Sequence, residues 1–299
     1  MFQPEFFTID TGSTQLNVAC AGRRDAPLVI CLHGFPEYWA GWREVMAQLS
    51  RDHFVVTPDQ RGYNKSSKPT AIDAYRVKHL VADIAALADH LSPDRPFSLA
   101  GHDWGASVAY GYAFAQPNRL THLVIANGVH PVCFQRAIFD DPAQREASQY
   151  INKLRDPATD TRLVEDGCRR AFRMIEGFSP TPWMTEELRA GYREAWVQPG
   201  AMTAMLNWYR ASPIDVPPPG EKAGRSLVLE MPPETFAVRM PHLLLWGEDD
   251  IALRPSCIEG LDRFAPDLTV QRVRGAGHWI LHEKPVEVAD GIRRFVAPR

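Results

Sequence analysis

Short apolar runs alternate with segments of helical spacing along the first part of the chain. The largely apolar runs predict strands buried in a sheet. They are Leu28–Leu32, Phe54–Val56, Phe97–Ala100 and Leu120–Ala126. The segments between them have apolar residues at helical spacing and predict helices at Trp39–Leu49, Val77–Leu91 and Ala106–Ala115. Upstream, Phe6–Asp10 and Gln15–Ala21 flank a Thr-Gly-Ser turn and predict a β-hairpin.

The alternation stops after Gly128. The sequence predicts only helices from about His130 to Arg210, at Gln144–Leu154, Thr161–Ile175, Thr185–Glu194 and Ala201–Tyr209. The proline-rich stretch 212–220 excludes a helix, and Leu227–Leu229 suggests a short strand. The alternation resumes with strands at His242–Trp246 and Val270–Val273 and helices near Ser256–Phe264 and from about Pro285 to Phe295.

A helical insertion inside an α/β domain is the simplest organisation of these elements. Alternating strands and helices favour a mostly parallel central sheet flanked by helices and joined by right-handed crossovers. We predict a first core segment at residues 1–128, a helical cap with its proline-rich return at 129–235, and a second core segment at 236–299.

Composition narrows the class of protein further. The chain has 299 residues, 45% of them apolar, and a formal net charge of −3, so nothing points to nucleic acid or an anionic membrane as a partner. Its five cysteines are scattered without pair spacing, as expected for reduced thiols in a cytoplasmic protein. No signal peptide and no apolar run of transmembrane length is evident in the sequence.

Candidate chemistry begins at Gly101-His102-Asp103-Trp104-Gly105, between a predicted strand and a predicted helix. Glycines on both sides permit a sharp strand-to-helix turn that exposes the residue at its apex. The apex is Asp103, where comparable turns usually hold serine. A carboxylate is ionised at neutral pH and can displace a leaving group from carbon to give an ester that water then hydrolyses. The pattern therefore favours substrates with epoxide or carbon–halogen bonds over ordinary esters and amides.

An acid and a histidine follow in the chain order that this scaffold uses. His278 lies in a glycine-rich turn after the last predicted strand, and Asp250 follows the strand before it. We expect His278 to activate water and Asp250 to orient its ring, with Asp249 as the alternative acid. The backbone N–H groups of Phe35 and Trp104 are the expected oxyanion donors.

The chain resembles the α/β-hydrolase-fold epoxide hydrolases. The motifs that carry the resemblance run in family order through the whole length: His33-Gly34-Phe35-Pro36-Glu37, Arg61-Gly62-Tyr63, Gly101-His102-Asp103-Trp104-Gly105-Ala106, Asn207-Trp208-Tyr209-Arg210 and Gly277-His278-Trp279. The resemblance implies that two cap tyrosines, Tyr209 and Tyr150, hold the epoxide oxygen. One departure is Asn64, where the family usually has glycine; asparagine tolerates positive φ.

The resemblance also sets the expected activity. It implies a cofactor-free and metal-free hydrolase acting on ether bonds, which converts a small-molecule epoxide to a vicinal diol through an ester on Asp103. We expect a cytoplasmic monomer or homodimer with no nucleic-acid or membrane partner. The substrate pocket is expected to be lined by Pro36, Trp39, Trp183, Trp208 and Trp279.

Two alternatives remain open at this stage. A haloalkane or haloacid dehalogenase would use the same aspartate. Haloalkane dehalogenases bind halide with the tryptophan after the nucleophile, which this chain has as Trp104, but they commonly have asparagine at the position of Phe35. Fluoroacetate dehalogenases commonly have arginines at the positions of Trp104 and Ser107. The second alternative is a non-catalytic ligand-binding protein on the same scaffold.

Overall fold

One mixed β-sheet forms the centre of the structure. The computed structural model describes residues 2–297, and the strands within them are β1 (Glu5–Asp10), β2 (Gln15–Ala21), β3 (Leu28–Leu32), β4 (Phe54–Pro58), β5 (Phe97–His102), β6 (Leu120–Ala126), β7 (His242–Gly247) and β8 (Leu268–Val273). Across the sheet they follow the order β1-β2-β4-β3-β5-β6-β7-β8. β1 and β2 form an antiparallel hairpin, β2 is antiparallel to β4, and the other neighbours are parallel. The predicted mostly parallel sheet is confirmed.

Helices surround this sheet and fill the long connection between β6 and β7. In the described part of the chain they are α1 (Arg43–Leu49), α2 (Val77–Leu91), α3 (Trp104–Ala115), α4 (Pro131–Asp140), α5 (Pro142–Ala147), α6 (Gln149–Arg155), α7 (Thr159–Gly177), α8 (Glu186–Trp196), α9 (Ala201–Ala211), α10 (Leu227–Glu230), α11 (Ile280–Glu283) and α12 (Pro285–Val296). Short 3-10 turns join several of them.

The central strands are apolar on both faces because both faces are covered by helices. Successive strand residues point to opposite sides of a sheet. In β3, Val29 and Cys31 pack in a core with α1 and α12, whereas Ile30 and Leu32 belong to a second core shared with α2, α3 and the inserted helices. This two-sided burial explains why the sequence shows continuous apolar runs rather than alternation.

The connection between β6 and β7 contains α4 to α10, and no strand occurs in it among the described residues. Its helical character agrees with the expected cap. The boundaries at residues 129 and 235 stay a prediction. The return from this segment to the core passes through the proline-rich stretch and α10 before β7 begins.

Leu227–Leu229 is part of helix α10, so the prediction of a short strand there is wrong. β6 and β7 pair directly, with Leu123 opposite His242 and Ala126 opposite Leu245, and no sheet edge is open between them. Three apolar residues are also too few to distinguish a strand from a helix by their pattern.

Three predicted helices are divided in the structure. The helix expected at Thr161–Ile175 is broken inside α7, where residues 165–168 have non-helical backbone angles. The helix expected at Gln144–Leu154 is interrupted at Ser148, whose hydroxyl accepts a hydrogen bond from the Gln144 side chain at 2.9 Å. The segment 256–264 forms two 3-10 turns rather than one helix. Gly260 separates them with a φ of +74°, in the left-handed region that ends regular helices.

The structure also shows the state of the cysteines and the character of the helices. All five cysteines lie in the described part of the chain, and each is a buried free thiol. Within residues 2–297, every helix falls short of the length or apolar character that crossing a lipid bilayer demands.

Candidate active site

Asp103 is the single residue between β5 and α3. Its φ of +50° and ψ of −119° lie where L-residues are strained. The flanking glycines permit the turn: a Cβ on Gly101 would lie 2.5 Å from the Gly105 oxygen, and one on Gly105 would lie 2.2 Å from the Leu32 oxygen. Helix α3 can therefore pack directly against β3 and β5, and the carboxylate of Asp103 stands at the carboxyl edge of the sheet.

The carboxylate of Asp103 meets the loop after β3 on one side and a histidine on the other. The backbone N–H of Phe35 donates to its Oδ1 at 2.7 Å. Its Oδ2 lies 3.5 Å from Nε2 of His278. The loop approaches so closely that a Cβ on Gly34 would lie 2.4 Å from Oδ1 of Asp103. One carboxylate oxygen is thus bound by a backbone donor, and the other faces an imidazole.

Asp250 and His278 form a buried pair beside Asp103. Nδ1 of His278 lies 2.8 Å from Oδ2 of Asp250. The other oxygen, Oδ1, accepts hydrogen bonds from the backbone N–H groups of Ala252 and Leu253 at 2.8 and 2.9 Å. The loop after β7 therefore fixes the carboxylate, and the carboxylate fixes the plane of the imidazole.

Asn127, which the sequence reasoning missed, supports the same carboxylate. Its Nδ2 donates to Oδ2 of Asp250 at 2.7 Å, and its Oδ1 accepts from the Gly247 N–H at 2.8 Å. Asn127 follows β6 in an Asn-Gly pair, which reads from sequence only as a turn. The alternative acid, Asp249, has an exposed side chain, and its backbone N–H bonds to the Ala276 oxygen at 2.9 Å.

The environment favours charge on both members of the Asp250–His278 pair. Burial alone would raise the pKa of Asp250, but the His278 ring and the hydrogen bonds from His278, Asn127 and the backbone hold it below its usual value. Burial would lower the pKa of His278, yet the carboxylates of Asp250 and Asp103 raise it well above its usual value. The basicity of the imidazole therefore depends on the charge of Asp103.

Tyr150 on α6 and Tyr209 on α9 face the same carboxylate from the inserted segment. Both line the two cavities that contain Asp103. Burial first, and then the charge of Asp103, raise the pKa of each phenol well above its usual value. For Tyr209, a hydrogen bond from the Trp104 side chain partly opposes this increase. Both hydroxyls therefore keep their protons and are available as donors.

Hydrogen bonds to the backbone place the two tyrosine helices. The indole N–H of Trp208 donates to the Arg61 oxygen at 3.0 Å and joins α9 to the core. Nε of Arg155, at the end of α6, donates to the backbone carbonyl oxygen of Tyr209 at 3.0 Å and joins the two helices to each other. Helix α9 is thereby held so that the Tyr209 ring lies edge-on to Phe35 and Trp104, at 5.1 and 5.0 Å between ring centroids.

The predicted pocket residues divide into two groups. Pro36 and Trp279 line the smaller cavity beside Asp103. The structure places the other three elsewhere: the rings of Trp39 and Phe6 meet edge-on at 5.1 Å, the Trp183 ring stacks on His282 at 4.0 Å, and Trp208 is buried against the core. Among the residues that line the cavities around Asp103, none of these three tryptophans occurs.

A second buried network contacts the loop that carries His278, and sequence reasoning missed three of its members, Glu37, Tyr192 and His282. The carboxylate of Glu37 is 1% exposed and lies 2.8 Å from Nδ1 of His102 and 2.9 Å from Nε2 of His282. The Tyr192 hydroxyl donates to it at 3.2 Å. Nε2 of His102 in turn lies 2.8 Å from the backbone oxygen of His278. The network therefore links the loop after β3, helix α8 and the histidine loop.

The described part of the chain offers no candidate metal site. Within residues 2–297, no group of three or more His, Cys, Asp or Glu side chains has an arrangement that would hold a metal ion.

Comparisons with known proteins agree with this geometry. Residues 27–162 match the family model of the alpha/beta hydrolase fold. The AB hydrolase superfamily protein YfhM of Bacillus subtilis is 36% identical over 96% of both chains. Epoxide hydrolase 2 of Caenorhabditis elegans is 30% identical over 92% of this chain and 75% of its own. A solved structure described as one of the novel epoxide hydrolases in metagenomes from hot environments is 37% identical, with a TM-score of 0.90 over both full chains.

The chain belongs to the α/β hydrolase family and, within it, to the epoxide hydrolase group. The predicted family, fold class and enzyme class, a hydrolase, are confirmed by these matches. The matches do not assign roles to individual side chains.

Proposed function

We propose that the protein hydrolyses an epoxide to a vicinal diol through an alkyl ester on Asp103. The observation that carries the proposal is the arrangement around one carboxylate: a backbone donor from Phe35, the imidazole of His278 and two phenols, Tyr150 and Tyr209. The relatives named as epoxide hydrolases support the same activity. No cofactor takes part in the steps that follow.

In the first half-reaction, Oδ2 of Asp103 attacks one epoxide carbon, and the bond between that carbon and the ring oxygen breaks. The electron pair of the broken bond stays on the oxygen, which becomes an alkoxide. Tyr150 or Tyr209 gives its proton to this oxygen, while the other phenol donates a hydrogen bond. An alkoxide is a poor leaving group, so a proton donor at this position contributes about 10²–10⁴-fold to the rate.

In the second half-reaction, water attacks the carbonyl carbon of the ester. Oδ1 of Asp103 already accepts the Phe35 N–H at 2.7 Å, so the developing oxyanion has a donor in place. The N–H of Trp104, the residue after the nucleophile, is the second donor. His278 takes the proton of the attacking water, and Asp250 stabilises the imidazolium that results. The alkoxide leaves and takes the proton from His278, which releases the diol. The second proton of the water leaves the new carboxyl group and restores the phenol that gave its proton in the first half-reaction, so the carboxylate of Asp103 is regenerated.

The charge of Asp103 couples the two half-reactions. In the free enzyme the negative carboxylate is one of the groups that raise the pKa of His278. Ester formation removes that charge, and the pKa of His278 falls as a result. The imidazole therefore loses its proton more readily in the intermediate, where it must act as a base.

The groups around Asp103 favour an epoxide over a haloalkane. Two phenols at the nucleophile suit an oxygen that must gain a proton, whereas halide leaves as a stable anion and needs none.

Trapping the ester tests the mechanism directly. In His278→Gln, Asp103 can still attack, whereas hydrolysis of the ester loses its base. We expect intact-protein mass spectrometry to show a stable adduct on a peptide that contains Asp103. His90→Gln, an exposed histidine at the end of α2, is the matched control and should turn over without accumulating an adduct. An adduct at another residue would overturn the assignment of the nucleophile.

A paired substrate screen tests the reaction class. Wild-type protein is given epoxides and haloalkanes of matched size, and diol and halide release are measured side by side. Diol formation without halide release supports the proposal. Halide release with no diol would assign the protein to the dehalogenases, and the absence of both products would favour a binding protein.

A further inference from the structure

Two cavities of very different size meet at Asp103. Both are lined by Asp103, Tyr150 and Tyr209. The smaller, beside His278 and Trp279, has a volume of about 20 Å³. The larger extends from Trp104 between α3 and the inserted helices and has a volume of about 410 Å³. The two sides of the reacting carbon therefore offer very unequal space.

The larger cavity is apolar along most of its surface. Its walls include Phe114, Val129, Phe134, Ile151, Ile214 and Leu253. The polar side-chain groups among its described lining residues are the carboxylate of Asp103, the two phenols, the indole N–H of Trp104 and the hydroxyls of Ser107 and Ser212. No lysine, arginine or histidine occurs among the described residues that line it, so a carboxylate inside it would lose its hydration without gaining a cationic partner.

Three exposed apolar side chains stand where the larger cavity reaches the surface. Val77, Leu227 and Met231 line the cavity and are 48%, 70% and 45% exposed. We call these three residues the apolar collar. Val77 begins α2, and Leu227 belongs to α10, which follows the proline-rich return of the inserted segment. Exposed apolar side chains that rim a cavity are a common feature of binding sites for apolar ligands.

We propose that the substrate is an uncharged epoxide with one long apolar substituent, which enters past the collar and fills the larger cavity. This inference rests on the proposed epoxide hydrolase activity. The smaller cavity accepts hydrogen or a very small group on the other side of the ring, so terminal epoxides suit the site. At about 30 Å³ for each water-sized group, and with some volume lost to imperfect packing, the larger cavity holds roughly ten carbons. The short helix α10 then contributes to substrate selection.

Chain length should therefore control catalytic efficiency. Burying one methylene group in an apolar site improves binding about threefold to fourfold. We expect kcat/KM to rise by about that factor for each added methylene and to level off at roughly ten carbons, when the cavity is full. The increase should appear mainly as a lower KM, because the distant part of the chain is bound equally in the ground state and the transition state.

The test is a series of terminal epoxides from 1,2-epoxybutane to 1,2-epoxydodecane, with diol formation measured for each. A second series carries a carboxylate four carbons from the ring, and its kcat/KM should be at least about tenfold lower than that of the uncharged epoxide of equal length. A flat dependence on chain length, or a preference for the carboxylates, would overturn the inference while leaving the hydrolase activity intact. Absence of diol from every epoxide would instead refute the proposed function.

Variants locate the effect in the larger cavity. Leu227→Glu places a charge in the exposed collar and should reduce the ratio of kcat/KM for 1,2-epoxydecane to that for 1,2-epoxybutane. Ile214→Trp fills part of the cavity and should move the preferred length to shorter chains. Val286→Glu is the matched control, because Val286 is 55% exposed on α12 and lies away from the cavity. An equal change of the ratio in all three variants, or no change in Leu227→Glu and Ile214→Trp, would refute the inference.

Discussion

Replacing Asp250 with asparagine should stop the enzyme after its first half-reaction. The carboxylate receives four hydrogen bonds, from the N–H groups of Ala252 and Leu253 on Oδ1 and from Asn127 and His278 on Oδ2. The two backbone donors will keep the amide oxygen of the new asparagine on their side. Its NH₂ group then faces His278, which must present an unprotonated Nδ1 to accept from it. The ring proton is forced onto Nε2, where the base needs a lone pair.

The expected loss follows from this change of tautomer. Asn127 cannot relieve it by turning its amide, because its Oδ1 is already bound by the Gly247 N–H at 2.8 Å. A comparable replacement of the orienting acid in a serine protease triad reduces kcat by about 10⁴-fold, which corresponds to about 5.4 kcal/mol in the activation barrier. We expect a loss of that order in hydrolysis of the ester. Attack by Asp103 needs no base and should slow far less.

Rapid-quench kinetics separates the two steps. Asp250→Asn should give a burst of alkylated enzyme close to one equivalent, followed by very slow diol release. Asp249→Asn is the matched control, since its side chain is exposed, and it should retain nearly full turnover. The reasoning is refuted if Asp249→Asn carries the larger loss, or if Asp250→Asn slows ester formation and ester hydrolysis equally.

Three further outcomes are expected. The double variant Tyr150→Phe with Tyr209→Phe should not open epoxides in single-turnover assays, and its circular dichroism spectrum should be unchanged. The rate of epoxide opening in each single variant should fall by about 10²–10⁴-fold at most. Near-normal opening by the double variant would show that the phenols only pack the site. Asp103→Asn should lower the pKa of His278, because it removes one of the carboxylates that raise this pKa. NMR titration of the imidazole ring measures the change, and an unchanged titration would contradict the coupling. Asn127→Gly keeps the φ of +36° accessible but removes two buried hydrogen bonds. Denaturant titrations should show a free energy of unfolding lower by about 2–5 kcal/mol. A change below about 1 kcal/mol would show that water replaces both hydrogen bonds.

Local patterns predicted the sheet and the turn that carries the nucleophile. Most residues of β3 to β7 are buried, and the sequence shows continuous apolar runs at 28–32, 54–56, 123–126 and 243–246. The turn at Asp103 is visible because close packing of α3 demands glycine at 101 and 105. In both cases the structural requirement acts on residues that are neighbours in the chain, and a single sequence can show it.

The supporting residues lacked such local signals. Glu37, His102, Tyr192 and His282 come from four separate segments, and their contacts exist only once the inserted helices have packed on the core. Glu37 directly follows the His-Gly-Phe-Pro motif, but nothing in the sequence shows that its carboxylate is buried. The ring of Trp39, expected in the pocket, packs against Phe6, another contact that the chain pattern does not show. Tertiary contacts decide both cases.

The same carboxylate charge acts on three groups whose acid–base roles differ. Asp103 raises the pKa of Tyr150 and Tyr209 as well as that of His278. While the enzyme is free, this charge favours the protonated form of the phenols and of the imidazole. As the ester forms the charge disappears, so the phenols become more acidic while the alkoxide needs a proton, and the imidazole then becomes able to accept one from water. Burial strengthens this coupling, because water that would screen the charge is largely excluded from the site. A serine at position 103 would begin uncharged and lack this coupling, which gives a physical reason, beyond its nucleophilicity, for a carboxylate at the turn.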